Sequence, residues 1–484
     1  MKKYYILILA LVMSVFTSCE GFLTEEPVFD QSDKLTLSNY DGLNKATAAI
    51  YAYSAGGSWY GTSFILMNEM RTGNGKKYIG SQYDTGRMIT EYNYNYNPSV
   101  TSGLWGSAYV AIANANKVMA NLEGKGDQQD LDNLKAECLF HRALAHFDLV
   151  RTYAQPYCFT ADASHIGVPV ITTVQGPTDK PKRQTVAKVY EQVIADLLEA
   201  ETLISPDFTR VGAKNIRSVV SVHVIQALLS RVYLFSENWQ ASADYATKVI
   251  NSGEFSMWTV DQMKDGKVYT EDVRKAGEGE VIFEVYQGPG ENGGSNEGIC
   301  SMTTPEKYGD AGASKDIVDL YEAGDVRNDL FFVEADSRNG SDIYFTKKYI
   351  GKGLSKPDYS NVIILRLSEM YLNRAESIIK GASVAGVTAN DDLNVIATNR
   401  GATKVVDIAT WDKGVYLERR KEFAWEAHLW FDLGRTKTDM TRTDVSGTVT
   451  PKTLKWGKHE WAMPIYMGEI GVNENLVQND GYQK

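Results

Sequence analysis

The chain has 484 residues and a formal charge of −11, from 61 acidic and 50 basic side chains. This acid excess argues against nucleic-acid binding, which draws on clustered Lys and Arg, and favours a neutral ligand. Four cysteines without CxxC spacing support neither a disulfide framework nor a zinc site.

The first residues, MKKYYILILALVMSVFTSCEGF, place two lysines before an apolar run from Tyr4 to Phe16. A membrane-spanning helix needs about 20 apolar residues, so this shorter run reads as a secretory signal. Phe16-Thr17-Ser18-Cys19 resembles a bacterial lipobox. Residues 1–18 are then expected to be removed and Cys19 acylated, each buried methylene adding roughly 0.8 kcal/mol of membrane affinity. Loss of Lys2 and Lys3 takes the charge from −11 to −13. Cys138, Cys158 and Cys300 remain, an odd set expected as buried thiols or at most one bridge. Residues 19–39 are acidic and aperiodic, reading as an extended tether, with order expected to begin near Tyr40.

From there the pattern is mainly α-helical. Apolar or small residues recur at three- and four-residue spacing over Trp105 to Leu122, Asp130 to Tyr153, Thr185 to Ile204, Ser218 to Ser236, Ala241 to Asn251, Leu367 to Lys380 and Val415 to Leu433. Alanines at predicted contact points, Ala143, Ala227 and Ala246, suggest stacked helix pairs of the tetratricopeptide kind, although no clean 34-residue period is present. Strand signals are confined to Glu280 to Gln287 and Ser341 to Ile350. Length alone would suggest two or three domains.

The segment from Trp59 to Pro98 breaks the helical pattern with aromatic, glycine and amide residues. Within it EYNYNYNPS puts Tyr92, Tyr94 and Tyr96 on one face of an extended chain. Near the other end, ERRKEFAWEAHLWFDLGR crowds charge among large apolar groups, as a buried helix does. At 100° per residue Arg420 falls in the apolar arc, and it must find a carboxylate; Glu369 and Glu376 are the expected partners. Pairing leaves these acids structural rather than catalytic. HExxH, GxSxG and Walker phosphate-loop motifs are absent, and GPGENGGSNEG lacks the lysine and helix onset of a phosphate cradle. The six histidines are scattered, so no metal or cofactor is expected. A carboxylate pair for glycoside hydrolysis stays open, since it needs only a separation in space.

Several stretches resemble the SusD/RagB family of outer-membrane lipoproteins from Bacteroidetes. ERRKEFAWEAHLWFDLGR is similar to that family's Glu-Arg-Arg and Trp-Phe-Asp-Leu-Arg helix, and WAMPIYMGEIGVNENLVQNDGY to its closing element. LWGSAYVAIANANKVM, AECLFHRALAHFDLVRTYAQPY and ILRLSEMYLNRAES match in the family's order. Tyr466 and Asp480 depart from it where prolines are usual. The resemblance implies a mainly α SusD-like fold over residues 40–484, with tetratricopeptide-like helix pairs as scaffold, loop-rich inserts and a few short strands. It implies a non-enzymatic, cell-surface protein anchored to outer-membrane lipid through Cys19. Such a protein binds glycan or oligosaccharide and delivers it to a SusC-like TonB-dependent transporter. A peptide-binding member of the same family, a secreted glycoside hydrolase and a protein-binding helical adaptor are the alternatives.

Sugars present flat CH faces ringed by hydroxyls, so a binder needs exposed aromatic planes with hydrogen-bonding groups at the ring edge. On this basis Trp59, Tyr60, Tyr83, Tyr92, Tyr94 and Tyr96 are expected to supply planes, and Asn68, Arg71 and Asn74 hydrogen bonds. Tyr286 and Asn292 are expected to add a second contribution. An exposed cluster of this kind usually marks an interaction surface.

Overall fold

A computed structural model describes residues 33–100, 103–213, 215–271, 274–288, 297–352, 359–405, 414–448 and 450–482. The lipobox, Cys19 and the tether up to residue 32 lie outside the described residues. At 33–36 the chain already forms a helical turn, and Leu37 behind it is buried. This corrects the reading of 33–39 as extended.

Helices α1 (Tyr40–Ala55), α2 (Ser63–Met70), α3 (Leu104–Met119), α4 (Gln128–Tyr153), α5 (Val186–Leu203), α6 (Val222–Phe235), α7 (Trp239–Asn251), α8 (Leu367–Ile379) and α9 (Ala389–Arg400) build the scaffold. Their starts are fixed by side chains that accept the orphan first-turn amides. Asn39, Asp127, Thr185, Ser221 and Asn238 do so for α1, α4, α5, α6 and α7, and Thr388 forms a capping box on α9. Apart from the α2 segment, each packs on its neighbour in sequence: α3 on α4, α4 on α5, α5 on α6, α6 on α7, α7 on α8 and α8 on α9. Ala143, Ala227 and Ala246 have no exposed surface and let the backbones approach, as the sequence suggested. Cys138, Cys158 and Cys300 are buried thiols that form no disulfide with one another.

The strands are short: β1 (Gly75–Lys76), β2 (Ile166–Pro169), β3 (Arg183–Thr185), β4 (Val281–Val285), β5 (Gly312–Ala313), β6 (Phe331–Ala335), β7 (Asp342–Thr346) and β8 (Val362–Arg366). Strands β1, β5, β7 and β6 form an antiparallel sheet in that order, while β4 pairs with β8 in the core. The mainly α architecture with few strands follows the sequence reading.

One expected helix is broken. Residues 415–433 form α10 (Gly414–Glu422) and α11 (Leu429–Arg435), separated by Trp425 and Ala427 at positive φ of 67° and 62°. Strain of this kind costs about 1–3 kcal/mol per residue and persists where surroundings over-determine it. They do here. The Glu422 carboxylate receives Arg327 at 2.9 Å, Arg366 at 2.5 Å and Arg400 at 2.7 Å. Glu426, four residues on, receives Arg366 at 2.8 Å and Lys348 at 2.5 Å. Glu280 and Asp325 complete the charge balance against Arg400 and Arg327. Glu422 and Glu426 thus share this cluster, and at the interruption the Ala427 amide donates to Glu69 Oε1 at 2.7 Å.

The expected partners of Arg420 are otherwise engaged. Glu369 grips Arg231 with both oxygens at 2.6 Å, and Glu376 holds Arg435 at 2.5 and 2.7 Å. Val415, Arg419 and Glu422 share the buried face of α10, so it is Arg419 that enters the core and meets Asp432 at 2.9 Å. Arg420, one residue round the helix, donates instead to Asn74 Oδ1 at 2.9 Å and to the carbonyls of Gly73 and Asp316.

Burial by itself pushes the Glu422 carboxyl up, but Arg400, Arg366 and Arg327 outweigh it and hold the group well below the usual carboxylate range. Its contribution is therefore present above the unfolded value near 4.5 and lost as pH falls below it. Glu422→Gln leaves three buried guanidinium groups under-compensated, and equilibrium unfolding in denaturant at pH 7 should lose about 3–5 kcal/mol. A loss under about 1 kcal/mol would show the cluster to be dispensable.

Candidate functional site

Most of the 59–98 segment turns inward. Trp59 stacks on Tyr60 and donates its indole N–H to Asp148 Oδ2 at 2.7 Å. Helix α2 buries every residue after Ser63; Asn68 donates to the Phe64 carbonyl at 2.7 Å, and its Oδ1 faces Arg71 at 3.4 Å. The Arg71 guanidinium lies between the rings of Trp430 at 5.1 Å and Tyr96 at 5.2 Å, a cation–π arrangement inside the core. Asn74 links Glu69 at 3.0 Å to Arg420 at 2.9 Å. Tyr92 accepts the Ser446 amide at 3.0 Å beneath Arg442, and Tyr94 stacks on Trp430 while its hydroxyl donates to the Arg71 carbonyl.

The exposed platform expected from Trp59, Tyr60, Asn68, Arg71, Asn74, Tyr92, Tyr94 and Tyr96 is thus corrected: all eight are buried. The physical reason is local. Residues 89–93 are helical rather than extended, and Tyr94 follows in the left-handed region at φ 55°. The three tyrosines therefore lose their common outward face, and Trp430 of α11 receives Tyr94.

What remains outside is the loop 77–88. Its base is pinned by Lys77, buried between Asp310 at 2.5 Å and Asp84 at 3.0 Å. Asp310 also accepts the Thr85 amide at 3.0 Å. On this mount Tyr83 is half-buried, edge-on to Phe345 at 5.3 Å. Half-buried Tyr308 carries the Arg87 guanidinium 4.3 Å above its ring, and Arg87 reaches Glu297 at 3.0 Å. Gln82 and Thr85 lie on the same loop. Tyr286 is half-buried beneath the Lys352 ammonium at 3.9 Å. It lines a cavity of about 450 Å³ with Tyr51, Asn44, Arg210 and Glu284. Glu297 and Tyr286 bracket the same stretch of chain; Asn292, within it, lies outside the described residues.

Two half-exposed rings with a guanidinium, a hydroxyl and an amide beside them are able to stack on a sugar face and bond its edge. Tyr308 and Arg87 escaped the sequence reading, since a single tyrosine in EKYGDAG and one arginine after TG carry no pattern. The groups of His, Cys, Asp or Glu that hold metals do not occur among the described residues. Among the described residues, no helix is long and apolar enough to cross a membrane.

With this geometry in view, comparison with known proteins defines the class. A family model described as starch-binding and associating with the outer membrane matches residues 21–234, and a SusD family model matches 333–482. The chain belongs to the SusD/RagB family. SusD-like protein P25 of Formosa agariphila is 23% identical over 97% of both chains. The starch-binding protein SusD of Bacteroides thetaiotaomicron is 29% identical over 28% of this chain and 24% of its own length. The crystal structure of a SusD superfamily protein from Bacteroides thetaiotaomicron superposes with a TM-score of 0.81 at 27% identity, covering 91% of this chain and 99% of that one.

Two outcomes separate interior from rim. Tyr92→Ala removes a fully buried ring and should cost about 3–5 kcal/mol of unfolding free energy, whereas Tyr308→Ala should cost under about 1 kcal/mol. Equal costs in a urea titration would contradict this assignment. Burial also raises the Glu69 carboxyl to about 7, with hydrogen bonds from Asn74 and Ala427 offsetting part of the shift. Its folded value exceeds the unfolded one, so its contribution is full below about 4.5 and lost as pH rises through about 7. The difference in stability between the wild type and Glu69→Gln should change across that window, and a constant difference from pH 4 to 8 would refute the shift.

Proposed function

We propose that the protein is a cell-surface glycan-binding lipoprotein, anchored in the outer membrane through acylated Cys19. It captures oligosaccharide and passes it, unaltered, to a partner SusC-like TonB-dependent transporter. The observation that carries this reading is the pair of half-buried rings, Tyr83 and Tyr308, set beside Arg87 and Thr85 on a loop fixed by the buried Lys77–Asp310 pair. Tyr286 is assigned to the same function from the cavity it lines with Tyr51 and Arg210.

Family membership supports the ligand class, as does the starch-binding name of the relative from Bacteroides thetaiotaomicron. The acids of the signature ERRKEFAWEAHLWFDLGR support a binding rather than a catalytic role. Glu422, Glu426 and Asp432 are each held by Arg or Lys in the interior, and half-buried Glu418 is held by Arg327. A general acid or nucleophile for glycoside cleavage must be free to give up a proton or attack the scissile bond, and carboxylates held in such ion pairs are not.

Affinity electrophoresis through a panel of polysaccharides should find at least one that retards the wild type, with retardation lost in Tyr83→Ala/Tyr308→Ala. The interaction with a neutral glycan should persist between low and high salt, because no ion pair is being screened. Retention of full binding by the double variant would remove this face from consideration. Binding of a peptide library with no response to any glycan would favour the peptide-binding alternative, and release of reducing sugar would favour a hydrolase.

A further inference from the structure

A half-open cavity of about 590 Å³ lies in the helical scaffold, formed by the ends of α6 and α11 with α7, α8 and α10. Its walls carry the rings of Trp239 and Tyr416, and Leu429 and Leu433 add apolar surface. Its floor is the satisfied pair of Glu376 and Asp432 with Arg435, at 2.5 and 2.7 Å. Around the mouth stand Glu237, Lys380, Lys437, Thr436 and Thr438.

Two features of that mouth are unlike the rest of the scaffold. Helices α7, α8 and α9 are followed by a left-handed residue that is glycine in each case: Gly253, Gly381 and Gly401. Glycine adopts that conformation without the steric penalty of a Cβ. Helices α6 and α11 end with the same backbone pattern, in which Asn238 N–H donates to the Tyr233 carbonyl and Thr438 N–H to the Leu433 carbonyl, each at 2.9 Å. Yet their left-handed positions are Glu237 at φ 60° and Lys437 at φ 55°. Both charged side chains line the cavity. Strain accepted in place of glycine, twice at one mouth, points to side chains that are used.

The charge is also uneven. The acids of the floor are consumed by Arg435 and Arg419, whereas Lys380 and Lys437 stand exposed, with Lys437 lying 5.8 Å from the Trp456 ring. Two ammonium groups against the single carboxylate of Glu237 leave the mouth cationic. Aromatic walls suit a sugar ring, threonine hydroxyls its edges, and the ammonium groups a carboxylate.

We propose that this cavity is a second ligand site, separate from the Tyr83–Tyr308 face, that takes a small anionic saccharide of the uronic acid class, with Trp239 and Tyr416 against the ring and Lys380 and Lys437 on the carboxylate. It does not depend on the first face binding glycan, and the test keeps the two apart.

Titration calorimetry with glucuronic and galacturonic acids and their disaccharides should show saturable binding that weakens with added salt. Lys380→Glu, an exposed substitution, should weaken it at least tenfold. Lys437→Gly should do the same while raising the melting temperature, because the left-handed strain is relieved. Tyr83→Ala/Tyr308→Ala should leave it unchanged. The proposal is overturned by absence of saturable binding in the wild type, by equal affinity for glucose or cellobiose, or by unchanged affinity in both lysine variants.

Discussion

The fold depends on one buried carboxylate. Glu422 sits at the meeting point of Arg327 from the 326–330 turn, Arg366 from the end of β8 and Arg400 from the end of α9. Three segments far apart in sequence are thereby tied to α10. Removing an ion from water costs several kcal/mol, so the arrangement is stable only because each charge meets an opposite one and each guanidinium finds further acceptors. The helix interruption at Trp425 and Ala427 lies beside this cluster. A continuous helix would put Glu426 one turn above Glu422 on the same rod. Glu426 meets Lys348 and Arg366, and beyond the break α11 carries Trp430 back against Tyr94 and Arg71.

That same constraint governs the charged signature. Its acids are spent on the interior, and the aromatic residues of the 59–98 segment close over the other side of α11. The 77–88 loop, pinned by the core but not buried by it, carries the first of the two proposed ligand faces. Lys77 and Asp310 repeat at small scale what Glu422 does at large scale. An internal ion pair fixes the backbone, and the rings displayed above it keep a defined position before a ligand arrives.

Much of the scaffold was legible in the sequence because helical periodicity and alanines at contact points are local signals. Helices α3 to α8 fall within a few residues of the expected bounds, and β4 and β7 lie where alternation placed them. The site was less legible. EYNYNYNPS has the spacing of an extended face, but a helical turn at 89–93 and a left-handed Tyr94 overturn that spacing, and a sequence pattern cannot report which side tertiary packing covers. The Arg420 assignment failed for a related reason. Apolar arcs identify a buried face only to within about one residue, 100° of rotation, and Arg419 rather than Arg420 points inward.

The ionic groups of ERRKEFAWEAHLWFDLGR act as one cooperative knot in the interior. A double-mutant cycle between Arg400 and Glu422, each replaced by methionine and both together, with stability read from chemical denaturation, tests it most directly. The account predicts a coupling energy of about 2 kcal/mol or more, with the double variant far less destabilised than the sum of the two singles. Additive losses, with coupling near zero, would contradict it.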